Sequence, residues 1–315
     1  HAVTIVDGAL EWSEHPDPVP GSGEVLVAVR AAGCNGADRL QVAGLYPPPP
    51  GWPADIPGME IAGEVIGVGP DTTRFVPGDR VMAIVGGGGQ AELAVVHERH
   101  CSPIPDGISF VEAGGFPEVF ATAFDALFTQ CGLRLGDRVC VHGAAGGVGI
   151  AAVQLAAAAG AHVTATVRAE GRRAEVADLG AHQVLAPDDF VDAGPYDIVL
   201  ELVGAPNLPS DIKALATGGR VSVIGVGAGA KAEVNLLELM GKRARVLGST
   251  LRARSFEEKA DVARRIEHHV VPLLAAGTVR VPIQEAVAMP DAAAAYERFA
   301  GGGKLGKLVL TEPLS

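Results

Sequence analysis

Three short β-rich runs punctuate the first third of the chain: Glu24-Val25-Leu26-Val27-Ala28-Val29-Arg30, Gly63-Glu64-Val65-Ile66-Gly67-Val68-Gly69 and Asp79-Arg80-Val81-Met82-Ala83-Ile84. Clusters of Gly, Pro and Asp separate them, which predicts short strands joined by turns in a small β-barrel. From Arg138 the pattern changes, and apolar runs at 138–142, 162–167, 197–203, 220–224 and 245–248 alternate with alanine-rich helical runs. Strand and helix alternation with short connections predicts a doubly wound parallel sheet covered by helices on both faces. A helix follows at 256–276, then strand-like runs at 281–289 and 305–310 around a helical stretch at 291–300. The tail resembles the first third, so the expected organisation is one domain at 1–117 that the chain re-enters at 282–315, with 118–281 inserted in it.

Composition narrows the field of functions. A chain of 315 residues with 48% hydrophobic and 20% charged residues has the balance of a folded two-domain protein. Lys and Arg number 25 against 37 acidic residues, and a net charge of -12 opposes binding to a nucleic-acid backbone. The longest apolar run, 150–159, is too short for a bilayer and the N-terminus has no signal-peptide pattern, so a cytoplasmic protein with no membrane partner is expected. Cys34, Cys101, Cys131 and Cys140 form no CxxC pair and read as free thiols.

The most specific motif lies where the pattern switches. Val139-Cys140-Val141-His142 runs into Gly143-Ala144-Ala145-Gly146-Gly147-Val148-Gly149, and a helix is expected at 150–159. A dinucleotide needs this order: glycines let the backbone approach the pyrophosphate, and the helix N-terminus offers amides without intrahelical acceptors. The alternative is a glycine cluster that merely packs a strand on a helix. Cofactor choice is read after the next strand, where an NAD enzyme places Asp or Glu on the ribose 2′-hydroxyl. Here stand Arg168, Arg172 and Arg173, whose guanidinium groups suit the 2′-phosphate of NADPH, although Glu170 lies among them and could reach a ribose.

The glycine loop, the closing Gly303-Lys304-Leu305-Gly306-Lys307-Leu308-Val309-Leu310, the segments Ala37-Asp38-Arg39-Leu40-Gln41, Tyr46-Pro47-Pro48-Pro49-Pro50-Gly51 and Gly248-Ser249-Thr250-Leu251-Arg252-Ala253-Arg254, and Pro57-Gly58-Met59-Glu60 together resemble the medium-chain dehydrogenase/reductases, in their quinone oxidoreductase branch. The resemblance implies an α/β protein with a GroES-like β-barrel catalytic domain and a Rossmann doubly wound parallel sheet. It implies a nicotinamide ring in a cleft near Thr122, Ile224, Gly225, Val226, Ser249, Thr250, Leu251 and Lys304. Positions that carry zinc ligands in the family's alcohol dehydrogenases are matched here by Asn35 and Met59, an amide and a thioether, so no metal is expected. Without a Lewis acid the chemistry favours acceptors that take hydride readily, such as quinones and enones. Tyr46 and Asn35 are the candidate donors to the oxygen that becomes negative. Tyr46 is equally readable as a ring that packs against the proline lip, and Asn35 as a turn residue holding its own backbone. The branch's tyrosine after the third strand is absent from Gln183-Val184-Leu185-Ala186-Pro187, which leaves the arginines to hold a 2′-phosphate.

The implied function is NADPH-dependent reduction of a small conjugated acceptor, a quinone, without zinc. An enoyl or enone reductase of the same family and a non-catalytic, crystallin-like NADPH-binding protein are the rivals. The run 242–248 is the expected edge of the parallel sheet and predicts a homodimer through that edge.

Overall fold

Val25, Val27 and Val29 are buried while their neighbours are half-buried, a period of two that turns one face of the strand Glu24–Gly33 to the core. Along one edge this strand pairs with Leu93–His97 and then, near its end, with Lys307–Thr311; along the other it pairs with Glu60–Val68. It is the hub of a seven-stranded sheet whose path runs Ile283–Ala288, Lys307–Thr311, Glu24–Gly33, Glu60–Val68, Arg80–Ile84 and Cys101–Pro103. All its pairings are antiparallel except that of Ile283–Ala288 with Lys307–Thr311. The C-terminal tail thus completes the N-terminal sheet, and that makes the first domain discontinuous. Val25, Val27, Ile61, Val81, Val96, Leu308 and Leu310 build its core. The computed structural model describes residues 1–303 and 305–313.

The second sheet has six parallel strands in the order Gln183–Leu185, His162–Thr166, Arg138–Val141, Tyr196–Glu201, Leu215–Val223 and Arg245–Gly248. In chain order this is 3-2-1-4-5-6, the Rossmann arrangement, with its switch point between the first and fourth strands. Val139, Cys140, Val141, Ile198, Val199 and Leu200 are all fully buried, as central strands covered on both faces require. Gln183–Leu185, at three residues, is too short to announce itself as an apolar run.

The chain divides into His1–Ala121 with Leu251–Ser315 as one unit and Thr122–Thr250 as the other. The first boundary lies four residues from the expected 117/118, but 251–281, expected in the nucleotide domain, belongs to the barrel unit. The reason is the helix Phe256–His269, which Ser255 and Glu258 cap reciprocally. Arg99 donates twice to Glu257 at 2.7 Å, Arg74 donates to Glu267 at 2.7 Å, and the His100 ring lies 3.1 Å from the Phe256 carbonyl. These polar anchors fasten the helix to the first unit. Among the described residues no helix is long and apolar enough to cross a membrane.

Candidate active site

In the Rossmann unit, the strand Arg138–Val141 gives way to Gly143 at φ +60°, and the chain enters the helix Gly147–Ala158 three residues earlier than the expected 150. Gly149 shows why this loop needs glycine. A Cβ there would lie 2.6 Å from both Ala144 Cα and the Gly143 carbonyl oxygen, so the helix packs on the loop with no room for a side chain. Ala144 is buried and its amide donates to the Thr166 carbonyl at 3.2 Å, while Ala145, Gly146, Gly147 and Val148 stay partly accessible. The accessible residues and the first-turn amides could cradle a pyrophosphate.

Most of the other cofactor candidates of this unit follow the C-terminal ends of the parallel strands. Arg168 is exposed directly after the strand His162–Thr166; Arg173 Nε donates to the Val167 carbonyl at 3.2 Å, and Arg172 pairs with Glu175 at 2.7 Å. After the strand Leu215–Val223 the chain returns close to its neighbour: a Cβ on Gly225 would lie 2.3 Å from the Leu202 carbonyl oxygen. Ile224 and Gly225 donate their amides to the Glu201 carbonyl at 2.9 and 3.1 Å, and Val226 is exposed. Ser249 Oγ donates to Asp125 at 2.8 Å, Thr250 is exposed, and Thr122 is buried on the helix Pro117–Phe124. Leu251 is buried and belongs to the barrel unit. Lys304 lies outside the described residues. His142, at the end of the strand Arg138–Val141 and next to Gly143, is sealed from solvent.

In the barrel unit, Asn35 begins the helix Gly36–Val42 and is a member of a buried network. Lys307 Nζ donates to Asn35 Oδ1 at 2.7 Å, Glu60 Oε1 at 2.6 Å and the Cys34 carbonyl at 3.0 Å. Both amide hydrogens of Asn35 are engaged, by the Gly33 carbonyl at 3.3 Å and by Glu60 Oε1 at 2.9 Å; the second Glu60 oxygen accepts the Glu118 amide at 2.9 Å. Asp38 accepts the Asn35 amide at 2.8 Å and the Tyr296 hydroxyl at 3.1 Å, but its Oδ1 is buried without a partner. Burial pushes the Asp38 carboxyl up to about 6 against the pull of the Asn35 amide and of Lys307.

Tyr46 is half-buried in the loop after this helix. The guanidinium of Arg252, itself buried, lies 5.0 Å from the centre of the Tyr46 ring. It donates to the Tyr46 carbonyl at 3.0 Å, to the Gly86 carbonyl at 2.8 Å and to the Gln41 side-chain oxygen. Trp52 packs against the barrel core, and a Cβ on Gly86 would lie 2.5 Å from its indole. Tyr46 and Trp52 are therefore set in a braced loop.

A family model described as an alcohol dehydrogenase GroES-like domain matches residues 21–106, and one described as a zinc-binding dehydrogenase matches residues 147–267. The chain is 32% identical over 306 residues to a quinone oxidoreductase of Mus musculus, covering 93% of this chain and 90% of that one. The chain belongs to the medium-chain dehydrogenase/reductase family. It is also 36% identical over 331 residues to a stretch of the erythronolide synthase EryA2 of Saccharopolyspora erythraea, 98% of this chain but 9% of that one. The crystal structure of a thermostable alcohol dehydrogenase from Pyrobaculum aerophilum superposes with a TM-score of 0.86 at 30% identity, over 98% of both chains. As a medium-chain dehydrogenase/reductase the protein is an oxidoreductase with a nicotinamide dinucleotide as its class of cofactor.

Within this medium-chain dehydrogenase/reductase, the residues matched to catalytic zinc ligands do not fit the metal. Asn35 supplies an amide already bonded on both sides, and Met59 is a buried thioether, so neither replaces the thiolate or imidazole that zinc takes. Sequence reading overlooked Lys307, Glu60 and Tyr296 as partners of Asn35 and Asp38, and Arg252 as the brace of Tyr46. Glu60, Arg252 and Lys307 stand inside the quoted motifs, so the signal is present in the sequence without its geometry.

Proposed function

We propose that the protein transfers a hydride from NADPH to a quinone without zinc. The observation that carries this reading is that Asn35 and Met59 stand at the positions matched to zinc ligands in the family's alcohol dehydrogenases, and Asn35 is held by Glu60 and Lys307. Hydride acceptance must then rest on the acceptor's own electrophilicity, and a quinone meets that demand. Arg168, Arg172 and Arg173 would hold the 2′-phosphate, and the loop from Ala144 to Gly149 the pyrophosphate. Bound NADPH supplies the hydride. Tyr46 is the proposed donor to the oxygen that gains charge, held in place by Arg252; one proton from water completes the hydroquinone. Asn35, with both amide hydrogens committed, acts as a positioning residue for the loop and not as that donor.

A second reading, reduction of an enoyl or enone substrate, is favoured by the higher identity to the erythronolide synthase stretch. NADPH oxidation measured against quinones, small enones and enoyl thioesters tests both. Turnover highest on a quinone is expected; turnover only on an enoyl thioester would replace the first reading by the second, and binding without turnover on any acceptor would leave a dinucleotide-binding protein.

A further inference from the structure

Beneath the glycine loop, four segments of the Rossmann unit converge on a sealed polar cluster. His142, the residue before Gly143, has Nδ1 2.9 Å from Thr166 Oγ1 and Nε2 2.9 Å from Asp211 Oδ1, with Asp211 carried by the helix Leu208–Ala214. Glu201, at the end of the strand Tyr196–Glu201, accepts the amides of Val203 and Gly204 on Oε1, the latter at 2.7 Å. Its main-chain carbonyl takes the amides of Ile224 and Gly225, and the Thr166 carbonyl takes that of Ala144. The cluster is therefore bonded to the glycine loop, the second strand's end, the turn after the fourth strand and the loop after the fifth, and the first, second and last of these carry residues read above as dinucleotide contacts.

His142, Glu201 and Asp211 are all completely buried, and a ring nitrogen and one oxygen of each carboxyl lie within 4.8 Å of one another. Two ionised carboxylates beside a neutral imidazole would leave a sealed double negative charge, which a protein interior tolerates only with a counter-ion or a proton. Asp211 Oδ2 and Glu201 Oε2 are both buried without a hydrogen-bond partner. The 2.9 Å between His142 Nε2 and Asp211 Oδ1 is a hydrogen-bond distance, shorter than the roughly 3.3 Å that separates two ligands of a tetrahedral zinc. The titratable groups facing His142 are Glu201, Asp211 and the buried Cys140 thiol, 4.0 Å away, with the edge-on Phe190 ring closing the site. Burial pushes Asp211 up to about 7, raises Glu201, and lowers His142, so a carboxyl proton is held near neutrality.

We propose that His142, Glu201 and Asp211 form a proton-held clasp for the dinucleotide edge: a shared proton keeps the four segments in binding register, and its loss sets the two carboxylates against each other and weakens cofactor binding. This rests on the reading of that edge as the dinucleotide site. The test is the Kd of NADPH, followed by its fluorescence, between about pH 6 and about pH 9, with NADH titrated in parallel because it lacks the 2′-phosphate. For one linked proton, Kd should rise about tenfold per pH unit above about 7, with the same slope for both dinucleotides. Asp211→Asn, neutral at every pH, and Glu201→Gln should flatten the slope. A flat wild-type profile, an unchanged slope in a folded variant, or stoichiometric zinc that Asp211→Asn releases would each overturn the clasp. Failure to bind either dinucleotide at any pH would overturn the site assignment itself and the clasp with it.

Discussion

Tyr46 carries the chemistry of this account at the scale of single residues. Its ring is braced from below by a buried guanidinium, and its carbonyl is bonded to the same group, so the hydroxyl is presented from a fixed base. If it donates to the developing oxyanion, Tyr46→Phe should lower kcat on a quinone by about tenfold to a few hundredfold with little change in KM. A raised KM with kcat intact in steady-state assays would mean that the ring only packs. The sequence offers Tyr46 and Asn35 alike as candidate donors. Asn35 is occupied by Glu60 and by Lys307, a partner 272 residues away, and no local pattern announces a bond of that span. The same distance hid the tie between His142 and Asp211, 69 residues apart.

Among the elements, the junction of strand, glycine loop and helix was the most legible, because each part has a local requirement: a buried apolar strand, a positive φ at Gly143, and no side chain at Gly149. Gly149→Ala should force the helix Gly147–Ala158 away from Ala144, destabilise the protein by about 1–3 kcal/mol and raise the NADPH Kd at least several-fold. Chemical denaturation and fluorescence titration check the two effects, and unchanged Kd would contradict the cradle. Less legible was the helix Phe256–His269. Its apolar stripe shows that it packs on something, but its allegiance to the barrel unit comes from Arg74, Arg99 and His100, whose partners only the fold reveals. Strand order was legible only through the family resemblance, since alternation alone predicts a parallel sheet without ordering it.

For the whole molecule, the strand Arg245–Gly248 ends the parallel sheet and is mostly exposed, and the helix Leu236–Lys242, which packs on the adjoining strand Leu215–Val223, exposes Leu236, Leu237 and Met240. An open strand edge flanked by an apolar surface is a template for a second copy, so a homodimer is proposed through this edge. Sedimentation at micromolar concentration should show a dimer, and Leu237→Glu with Met240→Glu should shift it to a monomer; a wild-type monomer would contradict the assignment. The proposed activity is NADPH-dependent reduction of a quinone. Its most direct test is kcat/KM on a single quinone with NADPH and with NADH on the purified protein. Turnover with a higher value for NADPH, carried by Arg168, Arg172 and Arg173, is expected, and an equal or higher value for NADH, or no turnover with either, would contradict the proposed activity.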